Sequence, residues 1–462
     1  MSTYRRSVTI SAPRRQVFNW HTCPGAFERL APPWRPTVVV GTSGRPPEPR
    51  AEVRLRVKVG PVWLPWTAAH GEWMPDEWFT DRQVQGPFGS WHHTHRFNAM
   101  DEHTTRLDDV IDYTLPGGPA AAIGRGYART EVDRMFAYRH QVTANDIAWH
   151  QRYGLAPTRI AMTGATGLIG SALTAFLRSG RHEVTRLCRR PTDGPDAVVW
   201  NRDSQTWPAS AFDGMDAVVH LAGENIAGGR WTAARKQRIR ESRVDGTRRL
   251  CETLAALPTP PATLVCASAI GFYGSRGATA VDESSDPGEG FLSEVCQAWE
   301  EATAPATERG IRVVHLRLGI VLTPAGGALK QMLIPFKLGV GGVLGSGDQF
   351  MSWIALDDVL GSVLHVLATD SMVGPVNAVA PAPETNRVFT RTLGRVLRRP
   401  TLIPAPGPAV RLLLGEMADA LLLTGARVEP IQLTTSGFRF AYPALEQALR
   451  HVLGRPDPGV MA

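Results

Sequence analysis

The sequence predicts two regions of different fold: an antiparallel α+β domain, followed by an α/β domain built on a doubly wound parallel sheet. In the first region, runs of alternating apolar and polar residues follow one another with few helical patterns between them, which is typical of antiparallel strands. Beyond residue 159, short apolar runs alternate with helical patterns, and such a series gives a parallel sheet. A glycine-rich turn at 164–170 lies between one of these runs and a helix, so it is a candidate ligand-binding loop.

Composition and cysteine usage restrict the class of protein. The chain of 462 residues is 43% hydrophobic and 20% charged, as in folded globular proteins, and it is long enough for two or three domains. Its net charge of +7 involves no long basic run, so no nucleic-acid partner is predicted. The five cysteines form no C-x-x-C pair, which favours reduced thiols and a cytoplasmic location over a disulfide framework.

The apolar segment from Ala409 to Leu423 is the strongest candidate for a membrane span. It contains Arg411, Glu416 and Asp419, whereas a spanning helix needs about 20 predominantly apolar residues. We therefore predict a packed or amphipathic helix there and no membrane span. The oligomeric state stays open.

The first domain is predicted at residues 1–152, with a linker at 153–158. Pro13 is placed to begin a short helix after the first strand, because proline is favoured at the first helical position. A long helical pattern from about Tyr127 to Arg152 closes the domain. Seven strands are expected, at Tyr4–Ile10, Thr37–Gly41, Ala51–Val59, Ala68–Met74, Trp78–Gln85, Ser90–Met100 and Thr104–Tyr113.

Three histidines stand close together in the sixth of these strands. His93 and His95 share one strand face, as two metal ligands would. No third ligand with suitable spacing follows, apart from the distant His103. The segment is therefore predicted to be a half-exposed strand, and no metal site is predicted.

The second domain is predicted at residues 159–400. Ligands of a doubly wound sheet bind beyond the carboxyl ends of its strands. Helices are expected at 171–179, 232–256 and 292–309. Strands are expected at Ile160–Thr163, Val184–Cys188, Ala197–Trp200, Ala217–Leu221, Thr263–Ser268 and Val313–Leu318.

The glycine-rich turn predicts a binding site for the pyrophosphate of a dinucleotide. Gly164 permits the tight turn, Gly167 lets the backbone approach the pyrophosphate, and Gly170 lets the helix pack closely on the strand. The helix N-terminus then offers free N–H groups to the phosphates. The alternative is a glycine-rich turn without a ligand. The predicted cofactor residues in this turn are Gly164, Thr166, Gly167, Leu168, Ile169 and Gly170.

Two arginines indicate which dinucleotide is bound. Arg189 and Arg190 follow the second strand of this domain, where a site for NAD usually has an Asp or Glu that binds the ribose 2′-hydroxyl. Guanidinium groups can instead hold a 2′-phosphate in bidentate fashion. NADP(H) is therefore the predicted cofactor, and the alternative is a solvated basic loop.

The spacing T-G-x-x-G-x-x-G resembles that of the short-chain dehydrogenase/reductase superfamily. Asp216–Gly223 (D-A-V-V-H-L-A-G), Trp353–Val359 (W-I-A-L-D-D-V) and Gly374–Asn377 (G-P-V-N) are similar to segments of its extended branch. Gly223–Ile226 and Gly271–Gly274 further resemble the atypical epimerase family of NADP-binding, sugar-nucleotide-epimerase-like proteins. The resemblance implies a Rossmann fold, with residues 401–455 as the small C-terminal module that completes the substrate lobe.

The same resemblance implies roles for individual residues. His220 lies inside an apolar strand and is predicted to be a packed core residue rather than a base. Leu221, Ala222, Gly223 and Glu224 are expected to line the cofactor. The candidate substrate residues are Asn225, Arg230, Trp231, Arg243, Phe291 and Arg317.

The catalytic residues of the superfamily are only partly present. There a tyrosine acts as acid and base, a lysine lowers its pKa, a serine holds the substrate oxygen and an asparagine assists a proton relay. Ser268 fits the serine position, but the place of Tyr-x-x-x-Lys reads Phe291-Leu-Ser-Glu-Val295, and Arg243 stands in the asparagine position. Tyr273 is the nearest replacement phenol, with Arg243 or Lys236 as a possible cation. Ser268 and Tyr273 are therefore the predicted catalytic residues.

The first domain resembles the START-like superfamily (SRPBCC, polyketide cyclase/coenzyme Q-binding). The order of strands and the long final helix carry this resemblance, together with the opening Ser7–Trp20, S-V-T-I-S-A-P-R-R-Q-V-F-N-W. It implies an α+β helix-grip fold and a hydrophobic small-molecule ligand.

Two functions stay open. The chain is either an NADP(H)-dependent epimerase or oxidoreductase that acts on a carbonyl or secondary alcohol, or a non-catalytic protein that senses NADP(H) and a lipid.

Overall fold

The structure, a computed structural model, describes residues 1–117, 121–190, 196–200 and 207–455. The chain divides into two units. The first unit comprises Met1–Gly154 with Ala175–Arg181 and the residues from His451, and the second comprises Leu155–Thr174 and His182–Arg450. No helix in the described ranges is long and apolar enough to cross a membrane.

The first unit contains a seven-stranded antiparallel sheet in the order β1-β7-β6-β5-β4-β3-β2. All seven predicted strands are found, but β4 begins at Val62 rather than at Ala68, because Pro65 interrupts the alternation that marks a strand. The elements are β1 (Ser2–Ile10), α1 (Arg14–Thr22), α2 (Ala26–Arg29), β2 (Thr37–Ser43), β3 (Glu52–Val59), β4 (Val62–Met74), β5 (Trp78–Gln85), β6 (Ser90–Ala99), β7 (Thr105–Thr114) and α3 (Ala121–Tyr153).

One face of this sheet is buried against the long helix α3. Along β6 and β7 every second residue is buried, as the alternating sequence requires. Trp91 and Ile111 pack in one cluster with Phe136 of α3, and Phe97 packs in another with Ile147 of α3. Since burying each large apolar side chain contributes about 1.5–3 kcal/mol, these contacts hold the helix on the sheet.

The second unit contains a seven-stranded parallel sheet in the order β10-β9-β8-β11-β12-β14-β18, which confirms the predicted doubly wound parallel sheet. The order reverses between β8 and β11, and this switch point is where ligands of such sheets bind. The elements are β8 (Arg159–Thr163), α4 (Leu168–Ser179), β9 (Glu183–Cys188), β10 (Ala197–Val199), β11 (Ala217–His220), α5 (Ala233–Ala255), β12 (Thr263–Ala269), β13 (Ala280–Val281), α6 (Phe291–Glu301), α7 (Ala304–Glu308), β14 (Arg312–Leu318), β15 (Ile320–Leu322), α8 (Gly327–Lys337), β16 (Phe350–Met351), β17 (Trp353–Ala355), α9 (Leu356–Ala368), β18 (Gly374–Ala378), β19 (Glu384–Thr385), α10 (Asn386–Leu397), α11 (Gly407–Leu414), α12 (Glu416–Ala418), β20 (Arg427–Val428), α13 (Ile431–Thr435) and α14 (Leu445–Val452).

Strand β18 and the segment 292–309 differ from the sequence prediction. Strand β18 was not predicted, because it begins with Gly374 and Pro375, residues that weaken a strand pattern. The single helix predicted at 292–309 is the pair α6 and α7, because Pro305 lies at the start of α7 and cannot continue the hydrogen bonds of a preceding helix.

The C-terminal part of the second unit is attached through a buried carboxyl group. The helix predicted at 409–423 is interrupted at Gly415, whose φ of 63° ends α11. Asp358 in α9 accepts the N–H groups of Ala441 at 2.6 Å and Tyr442 at 3.1 Å. Burial raises the pKa of Asp358 to about 7, so this contact is sensitive to pH near neutrality.

Candidate functional site

The glycine-rich turn joins β8 to α4 in a conformation that only glycine tolerates at two positions. Gly164 has a φ of +70°, and a Cβ there would lie 2.7 Å from the carbonyl carbon and oxygen of Leu221. A Cβ at Gly170 would lie 2.2 Å from the carbonyl oxygen of Gly164. The two glycines therefore let the turn pack directly against the end of β11, at the switch point of the sheet.

The first turn of α4 presents its backbone to an anion. Gly167 donates its N–H to the carbonyl of Gly164 at 2.9 Å, and Ser171 donates to Gly167 at 3.0 Å. The N–H groups that open a helix have no partner within it, and in α4 these include the N–H groups of residues 168 and 169. Thr166 and Gly167 are exposed. This geometry fits a pyrophosphate group.

The segment after β11 lies beside this turn. Leu221 donates its N–H to the carbonyl of Thr163 at 3.2 Å. The N–H of Glu224 donates to Ser242 Oγ at 3.0 Å, and the guanidinium of Arg243 donates to the carbonyl of Glu224 at 3.0 Å. Residues 221–224, which the sequence assigns to the cofactor, thus sit next to the glycine turn and are held from α5.

Arg189 and Arg190 occupy the neighbouring strand end. They follow β9, which pairs with β8, and both side chains are exposed. The two positive charges therefore lie at the carboxyl end of β9, next to the end of β8 that carries the glycine turn, and are accessible to a ligand there.

His220 is a packed core residue, as predicted. Its ring nitrogens contact Thr163 Oγ1 at 2.7 Å and Thr247 Oγ1 at 3.1 Å. Burial lowers its pKa to about 4, so the ring is neutral at pH 7 and is not placed to serve as a base.

Ser268, Arg317 and Asn377 lie side by side across three neighbouring strands. Ser268 is paired with Arg317 between β12 and β14, and Arg317 with Asn377 between β14 and β18. The Ser268 hydroxyl donates to Glu300 Oε1 of α6 at 2.6 Å. Ser268 is only 2% exposed, so in this arrangement its hydroxyl is engaged inside the protein.

Arg317 is the centre of this buried network. Its guanidinium donates to the two oxygens of Glu300 at 2.9 and 2.8 Å and to the hydroxyl of Tyr273 at 2.9 Å. The hydroxyl of Tyr273 in turn donates to Asn377 Oδ1 at 2.8 Å. Burial raises the pKa of Tyr273 to about 12, although Arg317 acts in the opposite direction. Tyr273 is fully buried, so its proton faces Asn377 and not solvent.

The cation beside Tyr273 differs from the one expected. Arg317 fills this place, and the expectation of Arg243 or Lys236 is wrong. Arg243 packs over the Trp299 ring at 5.0 Å, and Lys236 forms an ion pair with Glu416. Sequence reasoning also missed Glu300 and Asn377 as members of the network. Once the order of the strands is known, the position of each residue along its own strand or helix could have shown that these side chains lie close together.

The remaining predicted substrate residues are only partly brought together. Trp231 and Phe291 are in contact, with ring centroids 5.2 Å apart, and Phe291 is the residue in the position of the expected tyrosine. Arg230 instead donates to the carbonyl of Leu412 at 2.8 Å. Asn225 accepts the N–H of Ala227 at 3.0 Å in a local turn.

In the first unit, the expected half-exposed strand is wrong for His93 and His95. These residues are 2% and 8% exposed, because α3 covers that face of the sheet. Asp81 of β5, rather than His103, lies beside them. Burial lowers the pKa of His93, but the carboxylates of Asp81 and Asp109 outweigh this effect and raise it to about 9. Sequence reasoning missed Asp81 because strand pairing is not visible in spacing along the chain.

Two known protein families match the second part of the chain. Residues 160–379 match the NAD dependent epimerase/dehydratase family, and residues 405–452 match a domain of unknown function, DUF1731. The epimerase family protein Mb2239 of Mycobacterium bovis is 44% identical over 302 residues, which are 65% of this chain and 100% of that protein.

Two solved structures are similar to this chain. A nucleoside-diphosphate sugar epimerase from Corynebacterium glutamicum is 33% identical with a TM-score of 0.80, and the match covers 98% of this chain and 90% of that chain. The human epimerase family protein SDR39U1, solved with NADPH, is 35% identical with a TM-score of 0.59, and the match covers 64% of this chain and 98% of that chain.

Proposed function

The chain belongs to the NAD-dependent epimerase/dehydratase family, and on this premise we propose that its second unit binds NADP(H) and acts on a carbonyl or secondary alcohol of a small-molecule substrate. Residues 159–400 would hold the cofactor, and residues 401–455 would complete the substrate lobe. NADPH, when bound, supplies a hydride. The chain's own residues bind and orient the reactants.

The observation that carries the proposal is the glycine turn at the switch point. Gly164 and Gly170 leave no space for a Cβ, while the exposed backbone at Thr166 and Gly167 opens the N-terminus of α4 to a phosphate. The human relative solved with NADPH supports the same cofactor here. Gly164, Thr166, Gly167, Leu168, Ile169 and Gly170 would hold the pyrophosphate, with Leu221–Glu224 beside it.

The preference for NADP(H) over NAD(H) would come from Arg189 and Arg190. We expect replacement of both by alanine to weaken NADPH binding about 10- to 100-fold, because charge-assisted hydrogen bonds of about 1.5–3 kcal/mol are lost. NADH binding should hardly change, since NADH has no 2′-phosphate. Fluorescence titration of each nucleotide measures both constants.

A second pair of exposed adjacent arginines, Arg398 and Arg399, provides the matched control. Their double alanine variant removes the same charge and should leave both affinities unchanged. Equal losses of NADPH and NADH binding in the Arg189/Arg190 variant would contradict the assignment.

Catalysis would use the Ser268 hydroxyl to hold the substrate oxygen and Tyr273 as proton donor. One observation favours the second function, NADP(H) and lipid sensing without turnover: both hydroxyls are buried and engaged, Ser268 with Glu300 and Tyr273 with Asn377. Turnover of NADPH with a panel of carbonyl compounds separates the two. For an enzyme, Ser268→Ala should lower kcat while NADPH affinity stays unchanged; NADPH binding without turnover in the wild type would support the sensor.

For the first unit we propose the START-like helix-grip fold, at residues 1–152 with a linker at 153–158, and a hydrophobic small-molecule ligand. The antiparallel sheet of seven strands and the 33-residue helix α3 support this fold, and the apolar ligand is what the START-like resemblance implies. Saturable binding of a fluorescent fatty acid, displaced by an unlabelled one, is the expected result. Linear, non-saturable binding would contradict it.

A further inference from the structure

We propose that Asp81, His93 and His95 of the first unit form a binding site for a divalent transition-metal ion. This inference is independent of the proposed nucleotide function, because all three residues belong to the antiparallel sheet. It rests on the separation of the ligand atoms and on the carboxylate behind the two histidines.

The strand pairing builds the group. Asp81 of β5 lies directly opposite His93 of β6, and Asp109 of β7 lies directly opposite His95. His93 and His95 are two residues apart and therefore point to the same face. That face is covered by α3, so four polar side chains meet in the interior of the unit.

The ligand atoms are separated as they would be around one ion. Asp81 Oδ2 lies 3.0 Å from His93 Nδ1 and 3.5 Å from His95 Nε2. One ligand atom from each of the three residues lies within 4.8 Å of the others. Ligand atoms bound to a tetrahedral zinc ion at ordinary bond lengths are roughly 3.4 Å apart. An ion could therefore enter with small side-chain movements.

Asp109 provides the support that metal-bound histidines require. Its Oδ1 lies 2.8 Å from His93 Nε2 and 2.7 Å from His95 Nδ1. Its Oδ2 lies 2.5 Å from His140 Nε2 of α3. A histidine that binds a metal through one ring nitrogen usually directs the other to a carboxylate, which fixes the tautomer and the ring orientation. Here one carboxylate serves both histidines.

His95 is oriented for this role. Its Nδ1 lies 2.7 Å from Asp109 Oδ1. An ion on Nε2 would hold His95 as the Nδ1–H tautomer, and that N–H could donate to Asp109 after a small rotation of the ring.

The charge and the type of ligand define the class of ion. One divalent cation would compensate the charges of the partly buried Asp81 and the buried Asp109. Two imidazoles with one carboxylate suit zinc, cobalt, iron or nickel better than magnesium or calcium. Asp81 is the most accessible member, with a side chain 16% exposed, so water can reach the fourth coordination position, as in metal sites that keep an open position.

Cobalt(II) and zinc(II) test the proposal on the full-length chain, purified without a histidine tag and stripped with EDTA. We expect one Co²⁺ per chain, with visible d–d absorption bands that Zn²⁺ displaces. Asp81→Asn and His95→Ala should each lose these bands. Asp109→Asn should weaken the affinity about 10- to 100-fold without abolishing it, because outer-shell carboxylates have effects of that size.

His92 provides the matched control, because it lies on the same strand but on its exposed face. His92→Ala should bind Co²⁺ as the wild type does. Absence of Co²⁺ bands in the folded wild type, or unchanged bands in Asp81→Asn, would overturn the proposal and leave a network held by protons alone. Circular dichroism identifies a misfolded variant. If His95→Ala does not fold, the similarly shaped Asp81→Asn and Asp109→Asn decide the question.

Discussion

Replacement of Arg317 by methionine tests whether this residue is primarily part of the buried network rather than a free substrate-binding group. The side chain of Arg317 is 4% exposed and that of Glu300 is 12% exposed. Methionine keeps most of the apolar stem and its packing against Phe272, but it removes all hydrogen bonds and the charge. Glu300 is then left as a partly buried carboxylate without its cation.

The expected loss of stability follows from these contacts. Removing one partner of a buried ion pair costs about 3–5 kcal/mol, because the remaining charge is uncompensated. Glu300 still accepts the hydrogen bond from the Ser268 hydroxyl at 2.6 Å and has some access to water. The expected cost therefore lies at the lower end of the range for a broken buried ion pair. We expect the free energy of unfolding to fall by about 3 kcal/mol, and the hydroxyl of Tyr273 to lose one donor.

Urea denaturation followed by circular dichroism measures the loss. Arg411→Met is the matched control, because Arg411 also forms a two-point contact with a carboxylate, that of Asp419, but on the surface. Its unfolding midpoint should not move, since exposed ion pairs contribute little. A loss of less than about 1 kcal/mol in Arg317→Met would equal that of an exposed pair and would refute the reasoning.

The other predictions concern the glycine turn, the buried carboxyl group and the thiols. Gly170→Ala should lower the unfolding free energy by about 1–3 kcal/mol and weaken NADPH binding, because its Cβ would lie 2.2 Å from the carbonyl oxygen of Gly164; unchanged urea denaturation and unchanged NADPH titration would contradict this. Burial raises the pKa of Asp358 to about 7, so the folded protein holds this proton more tightly than the unfolded chain. Its contribution to stability is therefore complete below about pH 4 and is lost as the pH rises to about 7, by about 4 kcal/mol; Asp358→Asn should remove this pH dependence from urea denaturation, and an identical slope in the variant would contradict it. A disulfide-exchange reagent should titrate only Cys23 rapidly in the native protein, because burial raises the pKa of the Cys251 and Cys296 thiols to about 12; rapid reaction of more than one thiol would show that the core opens easily. The other four cysteines, Cys188, Cys251, Cys266 and Cys296, are buried.

Elements that depend on local patterns could be predicted from the sequence. Alternation along a strand and the glycine spacing are properties of a few consecutive residues, so the seven strands of the first unit and the turn at Gly164 were found. The packed state of His220 followed in the same way, from its position inside a continuous apolar run. Errors occurred where a proline or glycine interrupted a local pattern, as at Pro65 and at the start of β18.

Residues that meet through non-local contacts could not be predicted. Glu300 reaches Ser268 and Arg317 from a helix that packs over the strand ends, and nothing in the spacing along the chain marks it. Asp81 reaches His93 only through the pairing of β5 with β6. In both cases the sequence does not show which helices and strands are neighbours. The packing of those neighbouring elements is what buries the charged group.

The proposed catalytic role of Ser268 would not require separation of the buried ion pair. The carboxylate of Glu300 accepts one hydrogen bond from Ser268 and two from Arg317. If the hydroxyl turned toward a substrate oxygen, Glu300 would lose one of these three donors and keep its charge paired. A hydrogen bond to a charged group contributes about 1.5–3 kcal/mol, so a substrate that offers a bond of similar strength can offset the exchange. A protein that only senses NADP(H) has no such compensation, and its Ser268 remains on Glu300. The effect of Ser268→Ala on turnover, compared with its effect on unfolding, therefore reports which of the two partners this hydroxyl serves.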